Sequence, residues 1–189
     1  GKIQPYFNVE RRKYRFRLLN GSPSRFYEMY LTSSLGVNQP FTYIANDGNL
    51  LPAPLTLRKV SLASAERGDI VIDFSRYLPG TKLYIVNRLV QTNGMGPDAA
   101  ANPRDINALL TAPGVQVMRF DVGGLPAVRD NSRVPATLRA LPPMNAAIVA
   151  AGPTRTWQFD KANAIWTVNG QIFDVHTPAA TITRGVPEV

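Results

Sequence analysis

The sequence predicts an all-β protein, a sandwich or barrel of Greek-key type. Three observations carry that expectation. Apolar residues alternate with polar ones in short runs, as in Ile70-Val71-Ile72-Asp73-Phe74, where Ile70, Ile72 and Phe74 share a face. Turn dipeptides built on Gly, Pro, Asn and Asp separate the runs at short intervals, and the 14 glycines and 16 prolines are scattered along the chain. No segment sustains the 3.6-residue period of a helix.

Taken in order, residues 1–7 read as an extended piece broken by Pro5, and 8–13 as a polar turn. Residues 14–19 form a strand that points Tyr14, Phe16 and Leu18 one way and Arg15, Arg17 and Leu19 the other. Asn20-Gly21 ends it as a turn. Residues 25–31 alternate again, with Tyr27, Met29 and Leu31 as the better apolar face, and 41–45 make a short strand turned by Asn46-Asp47-Gly48. Pro52 and Pro54 mark an exposed connection, after which 55–62 resume extended structure and 63–68 turn. The strand at 70–74 ends at Pro79-Gly80, and 82–86 is the next. Residues 91–113 read as a long loop with one helical turn at 105–110. Residues 115–122 return to strand, with Met118, Phe120 and Val122 together. The stretch 125–152, rich in Pro and Arg, reads as an extended interdomain linker. Beyond it, 156–159 and 165–168 are strands, Asn169-Gly170 is a turn, and 181–183 is a last alternating piece.

The 189 residues suffice for one good-sized domain and part of another. With 44% hydrophobic and 18% charged residues the chain is globular in composition, and no apolar run approaches the roughly 20 residues that span a bilayer. There is no cysteine and one histidine, His176, so thiolate sites, imidazole clusters and a cysteine nucleophile are excluded within the chain. No Gly-X-Ser-X-Gly elbow is present. The net charge of +8 and pI of 10.1 invite a nucleic-acid reading, but the arginines are mostly single, as at Arg58, Arg76, Arg88 and Arg104. The one basic run is Arg11-Arg12-Lys13, without an RNA-recognition or zinc-finger signature, and a solvated or interdomain surface explains it better.

Gly1-Lys2-Ile3 is echoed by Gly170-Gln171-Ile172. If Glu188 is laid on Tyr14, Gly185-Val186-Pro187 falls on Arg11-Arg12-Lys13, and on that register the expectation is that a second copy of the opening strand begins where the chain ends.

Three stretches in order, Tyr14-Arg15-Phe16-Arg17-Leu18-Leu19-Asn20-Gly21-Ser22, Asn46-Asp47-Gly48-Asn49-Leu50-Leu51 and residues 62–74, resemble the middle cupredoxin domain of three-domain multicopper oxidases. The nearest flavour is the laccase and bilirubin-oxidase group of bacterial spore-coat type. Trp157-Gln158-Phe159-Asp160 and residues 166–174 resemble the opening of the third domain, and Pro135-Ala136-Thr137-Leu138-Arg139 sits where that family has its linker. The resemblance implies a Greek-key cupredoxin domain over 1–124, a linker over 125–152 and an incomplete further cupredoxin domain over 153–189. It implies a parent oxidoreductase that oxidises phenolic, bilirubin-like or metal-ion substrates and reduces dioxygen to water at copper. The family's His-X-His and His-Cys-His ligand segments are absent here, so copper belongs to the parent and none is expected on this chain, which is expected to be inactive alone. The expected partners are the first and third cupredoxin domains of the same protein, with self-association left open and neither nucleic acid nor membrane. An extracytoplasmic location, periplasmic, secreted or cell-surface, is favoured by the resemblance.

No residue is nominated as catalytic, cofactor-binding or metal-ligating. His176 reads as a surface or hydrogen-bonded structural residue, and Met29 and Met118 as core filling. Arg15 and Arg17 are the nominated interdomain contacts, since guanidinium forks suit bidentate pairing across an interface. Asp47 and Arg67 are nominated as structural, through a tight turn and an ion pair. A second reading is a stand-alone basic β-sandwich that binds a polyanion or glycan with the same strand face.

Overall fold

The computed structural model describes residues 2–98, 114–143, 146–186 and 188. It divides into two units, Gly1–Ala140 and Leu141–Val189. The helical turn expected at 105–110 lies outside the described residues.

The first unit contains β1 (Tyr6–Val9), β2 (Lys13–Leu19), β3 (Tyr27–Ser33), β4 (Asn38–Gln39), β5 (Phe41–Asn46), β6 (Asn49–Leu57), β7 (Lys59–Leu62), β8 (Arg67–Asp73), a 3-10 turn (Phe74–Arg76), β9 (Lys82–Asn87) and β10 (Val115–Val122). One sheet runs β1-β10-β9-β3-β4, with β7 beside β4 on the same edge of β3; the other runs β2-β8-β5-β6. All pairs are antiparallel except β1 with β10. The inner faces meet in one core. Leu31, Leu83, Ile85, Phe120 and Val122 from the first sheet pack with Phe41, Ile70 and Ile72 from the second. Phe74 sits at its centre, with ring centroids of Tyr14 and Phe120 at 5.7 and 5.2 Å. Asp73 holds Phe74 there by capping the 3-10 turn, its carboxylate accepting from the Ser75 amide at 3.1 Å.

Several local expectations are corrected. The turn expected at 8–13 starts later, because Asn8 and Val9 complete β1 and Val9 is buried. Asn20-Gly21 is not a hairpin turn: β2 and β3 lie in different sheets, and neither residue has a positive φ. Pro52 and Pro54 lie inside edge strand β6, where the register jumps from Tyr43↔Leu55 to Ala45↔Leu50, so neither proline is asked for a ladder N–H. Arg67 and Gly68 belong to β8, with the turn tightened at Ala65, φ 68°.

Residues 125–140 form a strap on the first unit. At one edge of the four-stranded sheet the Asp130 carboxylate accepts from the Lys13 amide at 2.9 Å. At the opposite edge strand the Leu138 amide donates to the Pro52 carbonyl at 2.9 Å, and Arg139 reaches Asn49 at 3.3 Å. The strap therefore crosses the sheet's outer face.

The second unit holds α1 (Ala146–Ala151), which the proline content hid, and a three-stranded sheet of β11 (Phe159–Ala162), β12 (Ile165–Val168) and β13 (Gln171–Ile172). Both hairpins turn on paired left-handed residues, Asn163-Ala164 at φ 52° and 64° and Asn169-Gly170 at 51° and 75°. The strand expected at 156–159 starts only at Phe159, and residues 181–183 are not strand.

Candidate functional site

The outward face of β2 was the first candidate. Arg15 Nε donates to Asp69 Oδ2 at 2.9 Å, and the second fork nitrogen closes on the same oxygen. The register sets Arg17, not Arg15, opposite Asp69, so this pair is diagonal across β2 and β8. Arg17 is exposed and has no acidic partner among the described residues.

Asp47 occupies the left-handed position of the β5–β6 turn, φ 45°. Its Oδ1 accepts from the Arg67 amide at 3.0 Å and lies 3.2 Å from Arg67 Nη1, which also donates to the Ala65 carbonyl at 3.0 Å. The pair ties one hairpin turn to the start of β8. Both partners are about half-exposed, so screening keeps its contribution within about 1 kcal/mol. Nothing in this geometry presents a general acid or base to a cleft.

Two polar groups that sequence reasoning missed are buried. Asn20 is 2% exposed. Its amide donates to the carbonyls of Arg25 and Leu62 at 2.6 and 3.1 Å, and its oxygen accepts from the Ser22 amide at 3.1 Å. It thus fastens the β2–β3 connection to β7. Arg88 is 4% exposed, its guanidinium 4.8 Å from the Tyr30 ring centroid, and it donates to Asn38 Oδ1 at 2.9 Å and the Gly36 carbonyl at 3.1 Å. Burial lowers the Arg88 pKa. The Tyr30 hydroxyl donates to Glu28, which pairs with Lys59 at 3.1 Å; burial first, then Glu28, pushes the phenol well above its ordinary value. No sequence signal could have assembled this cluster: its members are single residues brought together by strand register.

Among the described residues no group of three or more His, Cys, Asp or Glu could hold a metal ion. His176 is exposed, in a turn where its amide donates to Asp174 at 2.9 Å. Met29 and Met118 pack against the core, and Met144 lies outside the described residues.

No family model matches the chain. Its sequence is 33% identical to the bilirubin oxidase of Albifimbria verrucaria over 193 residues, covering 97% of this chain and 31% of that protein. It is 37% identical to a laccase of Bacillus subtilis (strain 168) over 142 residues, 75% of this chain and 24% of that one. The structure resembles the McoA multicopper oxidase of Aquifex aeolicus with a TM-score of 0.66 and 26% identity, over 88% of this chain and 32% of that one. The chain carries a multicopper oxidase domain. The sandwich is the cupredoxin type of these oxidases, and the chain spans about a third or less of the relatives it matches. Within the oxidase domain the basic face is largely matched by carboxylates, Arg15 by Asp69 and Arg67 by Asp47, which does not favour a polyanion-binding module.

Proposed function

We propose that the chain is an internal piece of a three-domain multicopper oxidase. Residues 1–124 would be its second cupredoxin domain, 125–152 the connection and 153–189 the opening of the third. The parent is a copper-dependent oxidoreductase that oxidises phenolic, bilirubin-like or metal-ion substrates and reduces dioxygen to water. The observation that carries this is the alignment with a bilirubin oxidase along 97% of the chain but only 31% of that enzyme. Copper ligands would come from the first and third domains; the single histidine and the lack of cysteine here fit a domain that acts as spacer and wall. In this reading Arg17, without an acidic partner among the described residues, is the interdomain contact. Arg15, Asp47 and Arg67 serve the domain's own integrity first. An extracytoplasmic location goes with the same reading.

The test compares this chain with the longer gene product. The longer protein is expected to hold copper and to consume dioxygen with a phenolic donor; the chain alone is expected to do neither. Stoichiometric copper bound by the chain alone, measured by metal mass spectrometry, would overturn the assignment.

A further inference from the structure

We propose that the groove between the strap and the outer face of the four-stranded sheet binds a small amphipathic organic anion, an aryl or alkyl carboxylate or sulfonate. The outer face of an antiparallel sheet is ordinarily polar. Here it carries Ile44, Leu50 and Val71, and Ile44 is buried although it is no part of the sandwich core. The strap supplies the facing wall with Val134, Pro135 and Leu138. The groove is half open to solvent and about 460 Å³ in volume, the size of a small-molecule site. A second space of about 250 Å³ adjoins it across Lys13, Val71 and Val134.

The rim of this apolar floor is basic. Lys13, Arg15 and Arg133 all border the groove. Arg15 is engaged by Asp69. Lys13 Nζ is 3.8 Å from Asp73, longer than a charge-assisted hydrogen bond. Arg133, on the exposed strap, has no acidic partner among the described residues. An apolar body therefore fits the floor, and one anionic head fits the Arg133 and Lys13 end. A polyanion would set charge against the floor, and a neutral hydrocarbon would leave the cations unmatched.

The full chain is titrated with 2-naphthoate, read by calorimetry and by backbone amide shifts, with naphthalene-2-methanol as the neutral probe. Saturable naphthoate binding is expected, with shifts concentrated at residues 44, 71 and 133–138 and the neutral probe at least tenfold weaker. Arg133→Ala, on the exposed strap, is expected to weaken naphthoate about tenfold. Leu50→Trp, which fills the floor, is expected to abolish binding in a protein whose amide spectrum stays dispersed. The proposal requires both losses. No saturable binding, an equally tight neutral probe, or a Kd unmoved by either substitution overturns it.

Discussion

The two units use the same local chemistry to turn their strands and differ in what lies behind them. Asp47-Gly48 in the first unit and Asn169-Gly170 in the second are both paired left-handed turns. Behind the first lies a core in which Phe74, Leu31 and Leu83 are fully covered. In the second unit no residue with a described side chain is buried; Phe159, Trp166 and Phe173 are 71, 65 and 88% exposed. A hairpin of two or three strands is marginal in water without a covered face. Turn chemistry therefore specifies a strand pairing, and burial supplies most of its stability.

The largest expected contrast tests that division directly. Phe74→Ala removes the ring at the centre of the aromatic cluster and is expected to cost about 3–5 kcal/mol. Trp166→Ala, in the second unit, is expected to stay within about 0.5 kcal/mol. Chemical denaturation of the two variants checks this. Native-state hydrogen exchange gives the same contrast without mutation: amides of β8 and β9 are expected to exchange only on global unfolding, and those of β12 through local opening. Equal protection in β8 and β12 would break the comparison.

Asparagines sharpen it. Asn20 and Asn169 each fasten backbone with both ends of the amide; Asn169 accepts from the Gln158 amide at 2.7 Å and donates to the Thr156 carbonyl at 3.1 Å. Only Asn20 is buried. Asn20→Ala takes the amide donor from the buried Leu62 carbonyl, leaves the Arg25 carbonyl to Ser22 Oγ, and is expected to cost about 1–3 kcal/mol. Asn169→Ala lets water replace the lost bonds and is expected to cost about 1 kcal/mol, mostly from its left-handed backbone. Thermal unfolding of each variant reads the difference.

These two asparagines also show what the sequence reveals. Both precede glycine, and both read as tight turns. Asn169 is one, because its flanking strands pair with each other. Asn20 is not, because β2 pairs with β8 and β3 with β9, and no local signal reports that choice. Strand faces were legible where alternation is clean, as in β2 and β8, since alternation is local: Phe16 in and Arg15 out, Ile70 and Ile72 in. The partners of Arg15, the Arg88 cluster and the anchoring of the strap were not, since each depends on residues about 50 or more positions apart.

Glycines test backbone and surroundings separately. Gly114 and Gly170 have φ of 69° and 75°, so alanine is strained by about 1–2 kcal/mol at either. A Cβ at Gly170 would meet nothing within 4 Å, whereas at Gly114 it would lie 2.8 Å from Arg88 Cγ and 2.9 Å from the Asn87 carbonyl. Gly114→Ala is therefore expected to be the more damaging, and to loosen Arg88 from Tyr30 as read by the Tyr30 ring resonances. Equal costs would mean that the Arg88 cluster yields freely.

The smallest effect expected concerns the strap, which adds contacts to a core already closed. Asp130 accepts from the Lys13 amide and, at 2.9 Å, from the Ser132 amide. The Lys13 amide first, then the Ser132 hydroxyl and amide, hold this carboxyl well below the usual aspartate range. A depressed pKa fixes the sign. The stabilisation is fully present above the unfolded value of about 3.9 and is lost as pH falls through the lower folded value. Asp130→Asn is thus expected to unfold at slightly lower temperature than the parent at pH 7, with the gap narrowing as both are brought below pH 4. The carboxylate is only partly covered, so solvent screening should keep the gap modest even in low salt. A gap that stays unchanged in acid would show that the charge of Asp130 contributes nothing to the strap.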